Sequence, residues 1–404
     1  MPEAVIVSAV RSPIGRARKG SLRDLRADDM AAQMVTAALE AVPGLDPAEI
    51  DDLILGCGIP EGEQGQNMGR IVAIRAGLDA VPGTTITRFC SSSLQTTRMA
   101  LHAIRASEGD VFISAGVESA SRLGHGRSEE DTRNPAFREA WERSARRAEG
   151  GAPTWTDPRD DGHLPDIYIA MGQTAENVAQ IRGISRQAQD EYAVRSQNLA
   201  EKSQESGFWS REITPVTLPD GTTVAQDDSP RAGTTMEAVS ALDPVFRPDG
   251  TVTAGNACPL NDGAAALVIM SDTKAAQLGL TPLARIVSTG LSALSPEIMG
   301  LGPVEASRQA LARAGMSIGD IDQVEINEAF AAQVLPSAED LGIPLDKLNV
   351  NGGAIALGHP WGMTGARITA TLLNSLREHD GQFGLETMCV GGGQGMAMVI
   401  ERLS

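Results

Sequence analysis

The chain has 404 residues, 34 Lys and Arg against 52 Asp and Glu for a formal net charge of −18, and a hydrophobic fraction of 42%. That length supports two or three domains, and the acidic balance excludes nucleic acid as the expected partner, because phosphate binding needs a basic face. No apolar run approaches the roughly 18 residues that span a bilayer, and four cysteines in so long a chain form neither a disulfide framework nor a zinc-ligand spacing.

In chain order, Ala4 to Ala9 is a strand, and Asp28 to Val42 is a helix with Met30, Met34, Val35 and Leu39 at helical spacing, ended by Pro43-Gly44. Asp51 to Gly56 is a second strand. A β-prone run then breaks at Phe89-Cys90-Ser91-Ser92-Ser93 into a helix carrying Leu94, Met99, Leu101 and Ile104, and Asp110 to Gly116 is a further apolar strand. This alternation predicts a sheet covered by helices. The order recurs after about residue 275: Glu49 to Leu55 has a counterpart in Asp320 to Ile326, and Asp110 to Gly116 in Leu385 to Gly391. Two repeats of this size mean two similar halves and not a solenoid. Cys90 and the Gly358-His359-Pro360 turn fall at comparable points in them. From Ser119 to about Arg247 the alternation is lost apart from helices near Gly172 to Arg182 and Arg186 to Ser206, so this stretch reads as an insertion.

A cysteine where a strand gives way to a helix meets free backbone N–H groups and the positive end of the helix dipole, which favour the reactive thiolate; a cysteine alone at such a place is more often a core residue. Three later motifs change that balance. Asn327-Glu328-Ala329-Phe330, Gly352-Gly353-Ala354-Ile355-Ala356-Leu357-Gly358-His359-Pro360 and Cys389-Val390-Gly391-Gly392-Gly393-Gln394-Gly395 each set a chemically capable group beside residues too small to hide it. A nucleophilic thiol needs a base and oxyanion donors, and these segments supply candidates for both.

With these motifs, and with Arg11-Ser12-Pro13-Ile14-Gly15 and Gly255-Asn256-Ala257-Cys258-Pro259-Leu260-Asn261-Asp262-Gly263, the sequence resembles the thiolase family over nearly its whole length. The resemblance implies an α/β fold of two similar βαβαβαββ-type halves in an α/β/α/β/α layering, with an inserted loop domain. The corresponding division is residues 1–118 for the first half, 119–247 for the insertion, 248–272 for its return strand, and 273–404 for the second half. It implies a reversible acyltransferase that cleaves 3-ketoacyl-CoA with CoA, or condenses two acetyl-CoA, through an acyl-Cys90 intermediate. His359 is then the base, Cys389 the second acid or base that carbon–carbon chemistry requires, and Asn327 the holder of a water that stabilises the enolate with His359. The N–H groups of Cys90 and Gly391 form a second oxyanion hole.

Met171, Ala254, Cys258, Met299 and Phe330 match positions for the pantetheine arm and acyl group, and Arg231 opens the nucleotide-binding loop. Arg143, Arg146 and Arg147, spaced to share a helix face, are candidates for a positive field at the mouth. Coenzyme A enters as a substrate, with no metal and no other cofactor. The expected setting is the cytoplasm, with a homodimer or a homotetramer built as a dimer of dimers; neither the first residues nor the last four carry a targeting signal. Ala170 and Cys258 stand where biosynthetic members carry His and Ser, which favours longer or branched 3-ketoacyl chains over acetoacetyl alone, as in β-oxidation. Residues Arg122 to Asp166 depart from the tetramer-forming loop. The rival readings are a decarboxylating ketosynthase, which would not need Cys389, and a non-catalytic acyl-CoA or lipid-binding relative.

Overall fold

The computed structural model describes residues 2–123 and 132–404. In the first half, strands β1 (Ala4–Arg11), β2 (Gly15–Arg16), β3 (Asp52–Cys57), β4 (Gly83–Ile86) and β5 (Val111–Ser119) alternate with helices α1 (Ala27–Glu40), α2 (Met68–Arg75) and α3 (Ser92–Ala106). An intervening region carries α4 (Arg138–Ala148), α5 (Met171–Arg182), α6 (Arg186–Glu205), the short pair β6 (Val216–Thr217) and β7 (Thr223–Val224), and α7 (Met236–Ser240). The chain returns through β8 (Asn261–Ser271) and α8 (Asp272–Gln277). It continues as β9 (Ala284–Ala293), α9 (Gly302–Ala314), β10 (Gln323–Ile326), α10 (Ala331–Leu341), α11 (Ala354–Leu357), α12 (Thr364–Glu378), β11 (Phe383–Val390) and β12 (Gln394–Arg402).

The halves repeat one topology. β3 runs parallel to β4 and β5, and β8 pairs antiparallel with β5 and β1. In the second half β10 runs parallel to β11 and bridges in parallel to Leu348, and β12 pairs antiparallel with β11 and β9. Two residue pairs, Val5 with Arg285 and Ile6 with Ala284, join the two sets of strands edgewise into one ten-stranded run.

Three apolar layers explain how the strands are covered. β8 is buried along its whole length and apolar on both faces, as expected of a strand packed on both sides. Its Ala264, Ala266, Val268 and Met270 meet α1 and α2, while Ala265, Leu267 and Ile269 face the opposite way. The middle layer holds Leu94, Leu101 and Ile104 of α3 with Ile368, Leu372 and Leu376 of α12. On the far side, Val304 and Leu311 of α9 and Val334 and Leu341 of α10 cover Val324, Leu385 and Val399. The result is the α/β/α/β/α order, with α3 and α12 as the shared layer. Their N-terminal ends meet closely: Ala366 N–H donates to Ser93 Oγ at 2.9 Å, and a Cβ on Gly365 would lie 2.3 Å from Leu94 N.

The intervening region is richer in helix than its charge, Pro and Gly content predicts, because α4 joins α5 and α6 there. Part of the Arg122 to Asp166 stretch, residues 124–131, lies outside the described residues.

Candidate active site

Cys90 sits in a tight 3-10 turn, Phe89–Ser91, one step before α3. Phe89 holds φ 43, a left-handed conformation that costs a non-glycine residue about 1–2 kcal/mol. The turn is tied by Arg88 N–H donating to Ser92 Oγ at 2.9 Å and Ser92 Oγ donating to Phe89 O at 2.7 Å. Cys90 is 8% exposed. Burial pushes its thiol up to about 12, against the opposing pull of two backbone N–H groups, those of Gly391 and Cys90 itself, that approach the sulfur. The expectation that the helix start holds a resting thiolate therefore fails: the helix begins past the cysteine, and desolvation outweighs the amides.

His359 follows Gly358, whose φ of +113 and whose Cβ position 2.4 Å from the Asn261 side chain admit only glycine. Asn261 Oδ1 accepts the His359 N–H at 3.0 Å. Thr364 Oγ1 donates its one proton to Pro360 O at 2.7 Å, so it accepts from His359 Nδ1–H at 2.7 Å. That leaves the Nε2 lone pair to take a hydrogen bond from Asn327 Nδ2 at 3.2 Å. Burial first, and the Arg367 charge second, lower the imidazole to about 3, so the ring is neutral at rest. Asn327 meets the ring directly, its backbone O accepts from Gln333 Nε2 at 2.7 Å, and its Oδ1 is buried without a partner among the described residues.

Cys389 lies at the end of β11, fully buried, in an apolar cluster with Met299, Phe330, Ala175 and Val252. Burial, then the neighbouring Cys90 and Cys258, raise its thiol well above the ordinary range. After it, Gly391 packs on the Phe89 ring, where an added Cβ would sit 3.3 Å from it, and Gly393 passes so close to Leu294 O that a Cβ would lie at 2.2 Å. Gln394 closes this turn: its Nε2 donates to Gly391 O at 3.3 Å, and its Oε1 accepts from Arg88 Nη1 at 2.8 Å. Arg88 and Gln394, missed in the sequence reading, thereby tie the Cys90 turn to the glycine turn. The signal that could have found them is an arginine two residues before the thiol.

Cys258 is partly exposed, anchored by its N–H to Ala329 O at 3.0 Å, and its thiol is raised by burial and then by Cys90. Met171, at the first turn of α5, packs against the same cluster as Met299, Phe330 and Cys258. Phe246 meets Phe330 edge to face at 6.2 Å, and Gly172 is small because a Cβ there would overlap the Phe246 ring. Phe246 was not anticipated. Ala254 is exposed, outside that cluster. Arg231 is exposed too, but its loop is docked beside the His359 turn: Arg231 N–H donates to Gln197 Oε1 at 2.9 Å, Gln197 Nε2 donates to Ile355 O at 3.3 Å, and Asn261 Nδ2 donates to Ser229 Oγ at 3.2 Å.

The three arginines of α4 do not form a free basic field. Arg143 Nη2 donates to Leu164 O at 2.9 Å and to the buried Glu297 carboxylate at 2.8 Å, and Arg147 donates to Pro153 O, Asn177 Oδ1 and Gln180 Oε1. As an i, i+4 pair they face inward together, and Arg146 alone is exposed. No group of His, Cys, Asp or Glu among the described residues is arranged to hold a metal ion, and no helix among them is long and apolar enough to cross a membrane.

A buried thiol approached by two amides, a neutral imidazole with an unprotonated Nε2 and a second buried thiol suit acyl transfer. The thiolase N-terminal domain model matches residues 4–273 and the thiolase C-terminal domain model residues 280–402. The chain belongs to the thiolase family. This thiolase is 43% identical to a 3-ketoacyl-CoA thiolase of Saccharophagus degradans, over 99% of this chain and 98% of the relative. It is 44% identical to a 3-oxoadipyl-CoA/3-oxo-5,6-dehydrosuberyl-CoA thiolase of Escherichia coli, over 100% of each chain. Its fold superposes on the crystal structure of the Bacillus anthracis acetyl-CoA acetyltransferase with a TM-score of 0.86 at 39% identity, covering 100% of this chain and 99% of the other. Against human mitochondrial 3-ketoacyl-CoA thiolase in complex with CoA the TM-score is 0.85 at 35% identity, covering 100% and 98%.

Proposed function

We propose that this thiolase acts on 3-ketoacyl-CoA chains longer than four carbons, with Cys90 as nucleophile and His359 as its base. The reading is supported by a buried Cys90 sulfur, faced by the Gly391 and Cys90 N–H groups, and by a His359 ring whose Nε2 carries no proton. Thiol and imidazole are both neutral at rest, so proton transfer to His359 accompanies attack on the 3-keto carbon instead of preceding it. In this reading the two N–H groups that face the resting sulfur receive the oxyanion of the tetrahedral adduct.

Collapse of that adduct breaks the bond between C2 and C3 and leaves an acyl group on Cys90. The departing acetyl-CoA enolate is stabilised by His359, now protonated, and by Asn327, and takes its proton at carbon from Cys389. His359 returns its proton to the Cys389 thiolate, then takes the thiol proton of a second CoA as it attacks the thioester and passes it to Cys90 as that sulfur leaves. Coenzyme A is substrate throughout, and the reading needs no metal or other cofactor. Arg231, at the edge of the loop docked beside His359, is the residue for the nucleotide end of CoA.

The chain-length assignment is supported by Ala170 and Cys258 and by the apolar wall of Met171, Met299, Phe246 and Phe330. All four cysteines are free, in keeping with a reducing cytoplasm, and a homodimer or a dimer of dimers is the assembly proposed. The test is CoA-dependent cleavage of a 3-ketoacyl-CoA series from acetoacetyl-CoA upward. A rate that peaks above four carbons and vanishes in Cys90→Ala supports the reading; activity confined to acetoacetyl-CoA overturns the chain-length assignment, and cleavage of none overturns thiolysis.

A further inference from the structure

Glu118, near the end of β5, is fully buried with no cation beside its carboxylate among the described residues. An isolated buried charge is costly unless hydrogen bonds replace its hydration; here backbone amides and Gln64 offset part of that cost, and burial still leaves the carboxyl raised. Oε2 accepts from Gly58 N–H at 2.7 Å and Gly362 N–H at 2.9 Å, and Oε1 from Ile59 N–H at 3.3 Å, Gln64 Nε2 at 3.0 Å and the Cys57 thiol at 3.9 Å. These donors come from both halves of the molecule. Gly58 and Ile59 follow β3 in the first half, whereas Gly362 lies three residues past His359 in the second.

The Gly58 side of this clamp continues to the nucleophile. Thr87 Oγ1 donates to Gly58 O at 2.8 Å, and Ser92 Oγ lies 3.3 Å from Cys57 O, so the residues flanking Cys90 hang on the segment that Glu118 holds. The Gly362 side leaves no slack. A Cβ on Gly362 would lie 2.2 Å from Val117 O, one on Gly116 would lie 2.1 Å from Gly362 O, and one on Gly58 would lie 2.5 Å from the Glu118 carboxylate. Three backbone segments, Cys57 to Ile59, Gly116 to Val117 and Gly362, close around this one carboxylate.

We infer that Glu118 is a positioning residue that fixes the His359 turn against the Cys90 turn. It holds Gly362 with one lone pair of Oε2 and Gly58 with another, so the offset between base and nucleophile is set by a single side-chain oxygen. The inference rests on the roles given above to Cys90 and His359. A carboxylate suits the position because it only accepts; an amide of the same size would turn an NH₂ group toward N–H donors. Its charge also works against a thiolate at Cys90, so the benefit to catalysis is geometric, and a misplacement of about 1 Å costs about 10²-fold in rate.

The experiment compares Glu118→Gln with the unaltered enzyme in kcat, KM for CoA, and the rate of Cys90 alkylation by iodoacetamide at pH 8. The expected result is a kcat lower by about 30- to 100-fold, KM within about threefold, and alkylation undiminished or faster because the opposing charge has gone. A residue that merely supports the fold would lose alkylation selectivity and turnover together. A kcat within twofold of the unaltered enzyme overturns the inference, as does loss of alkylation in parallel with kcat. Should Glu118→Gln not fold, Thr87→Val cuts only the Gly58 link; a kcat loss of about three- to tenfold with unchanged KM supports the clamp, and an unchanged kcat overturns it. Turnover surviving in Cys90→Ala would instead overturn the functional reading on which the clamp depends.

Discussion

At matched places in the two halves a helix threonine meets the fourth residue of a central strand. In the first half Thr97 Oγ1 lies 2.9 Å from Ser114 Oγ, and Thr96 Oγ1 lies 2.7 Å from it. In the second, Thr369 Oγ1 donates to Glu386 Oε1 at 2.8 Å. The frame is the same and the chemistry is not. At this matched place the first half sets neutral hydroxyls, whereas the second buries Glu386 with Glu325 and Arg367 nearby. Burial raises both carboxyls, Glu386 to about 8, and the Arg367 charge, which makes no ion pair within 4 Å among the described residues, reaches His359 and helps keep its ring neutral. Duplicated topology has thus been divided between a half that holds a thiol still and a half that sets the protonation of a base.

The largest effect expected from breaking this division is at Cys90. Cys90→Ala should lower thiolysis by about 10⁴-fold or more, since no other group there replaces a covalent nucleophile, and His359→Gln by about 10²–10⁴-fold, the range of a lost general base. Steady-state assays with matched 3-ketoacyl-CoA check both. A loss in His359→Gln below tenfold would mean that the second half contributes little to proton transfer.

Cys389→Ala sharpens the comparison because it separates two steps. Thiolysis should fall by about 10²–10³-fold, since the enolate loses its proton donor. Exchange of labelled CoA into a simple acyl-CoA involves only acyl transfer through Cys90, and should stay within about threefold of the unaltered enzyme. Equal losses in both assays would place Cys389 in the acyl-transfer step instead.

Much of this arrangement was legible in the sequence. β1, β3, β5 and β11 are apolar runs with turn residues after them, and the order strand, helix, strand recurs, so the two halves could be read without knowing any contact. Ser91 to Ser93 after Cys90, Gly358 before His359 and Gly391 to Gly393 beyond Cys389 are small, which marks close backbone approach. What was not legible depends on partners far apart in the chain. Asn261 holds His359 across 98 positions and Arg88 holds Gln394 across 306, and no local pattern announces either. The α4 arginines show the converse limit: their helical spacing was readable, but that the shared face meets Glu297 and Asn177 was not. The protonation states depended on burial as well, for a turn of serines before a helix reads as polar while Cys90 is almost wholly enclosed.

Burial also predicts how Cys90 responds to pH. With the thiol pushed up to about 12, the thiolate fraction grows with every step in pH below that value, and a neutral His359 gives no ion pair to flatten the curve. Alkylation of Cys90 by iodoacetamide should rise about tenfold per pH unit from pH 7 to pH 10. A plateau below pH 8 would show a resting thiolate, and with it a first half more like the helix-start picture than the enclosed one.

The smallest expected effect tests the second half alone. The raised Glu386 carboxyl is protonated in the folded protein at neutral pH but ionised when unfolded, so stability is intact below pH 4.5 or so and declines as the pH climbs through about 8. Glu386→Gln removes that titration and makes the position neutral, like Ser114 in the first half. Its melting temperature should match the unaltered protein near pH 5 and exceed it by about 3 °C or more at pH 9, measured by calorimetry across the range. A difference that stayed constant with pH would mean that Glu386 is already ionised in the fold and paired with Arg367, and that the two halves differ by a buried ion pair and not by a buried neutral acid.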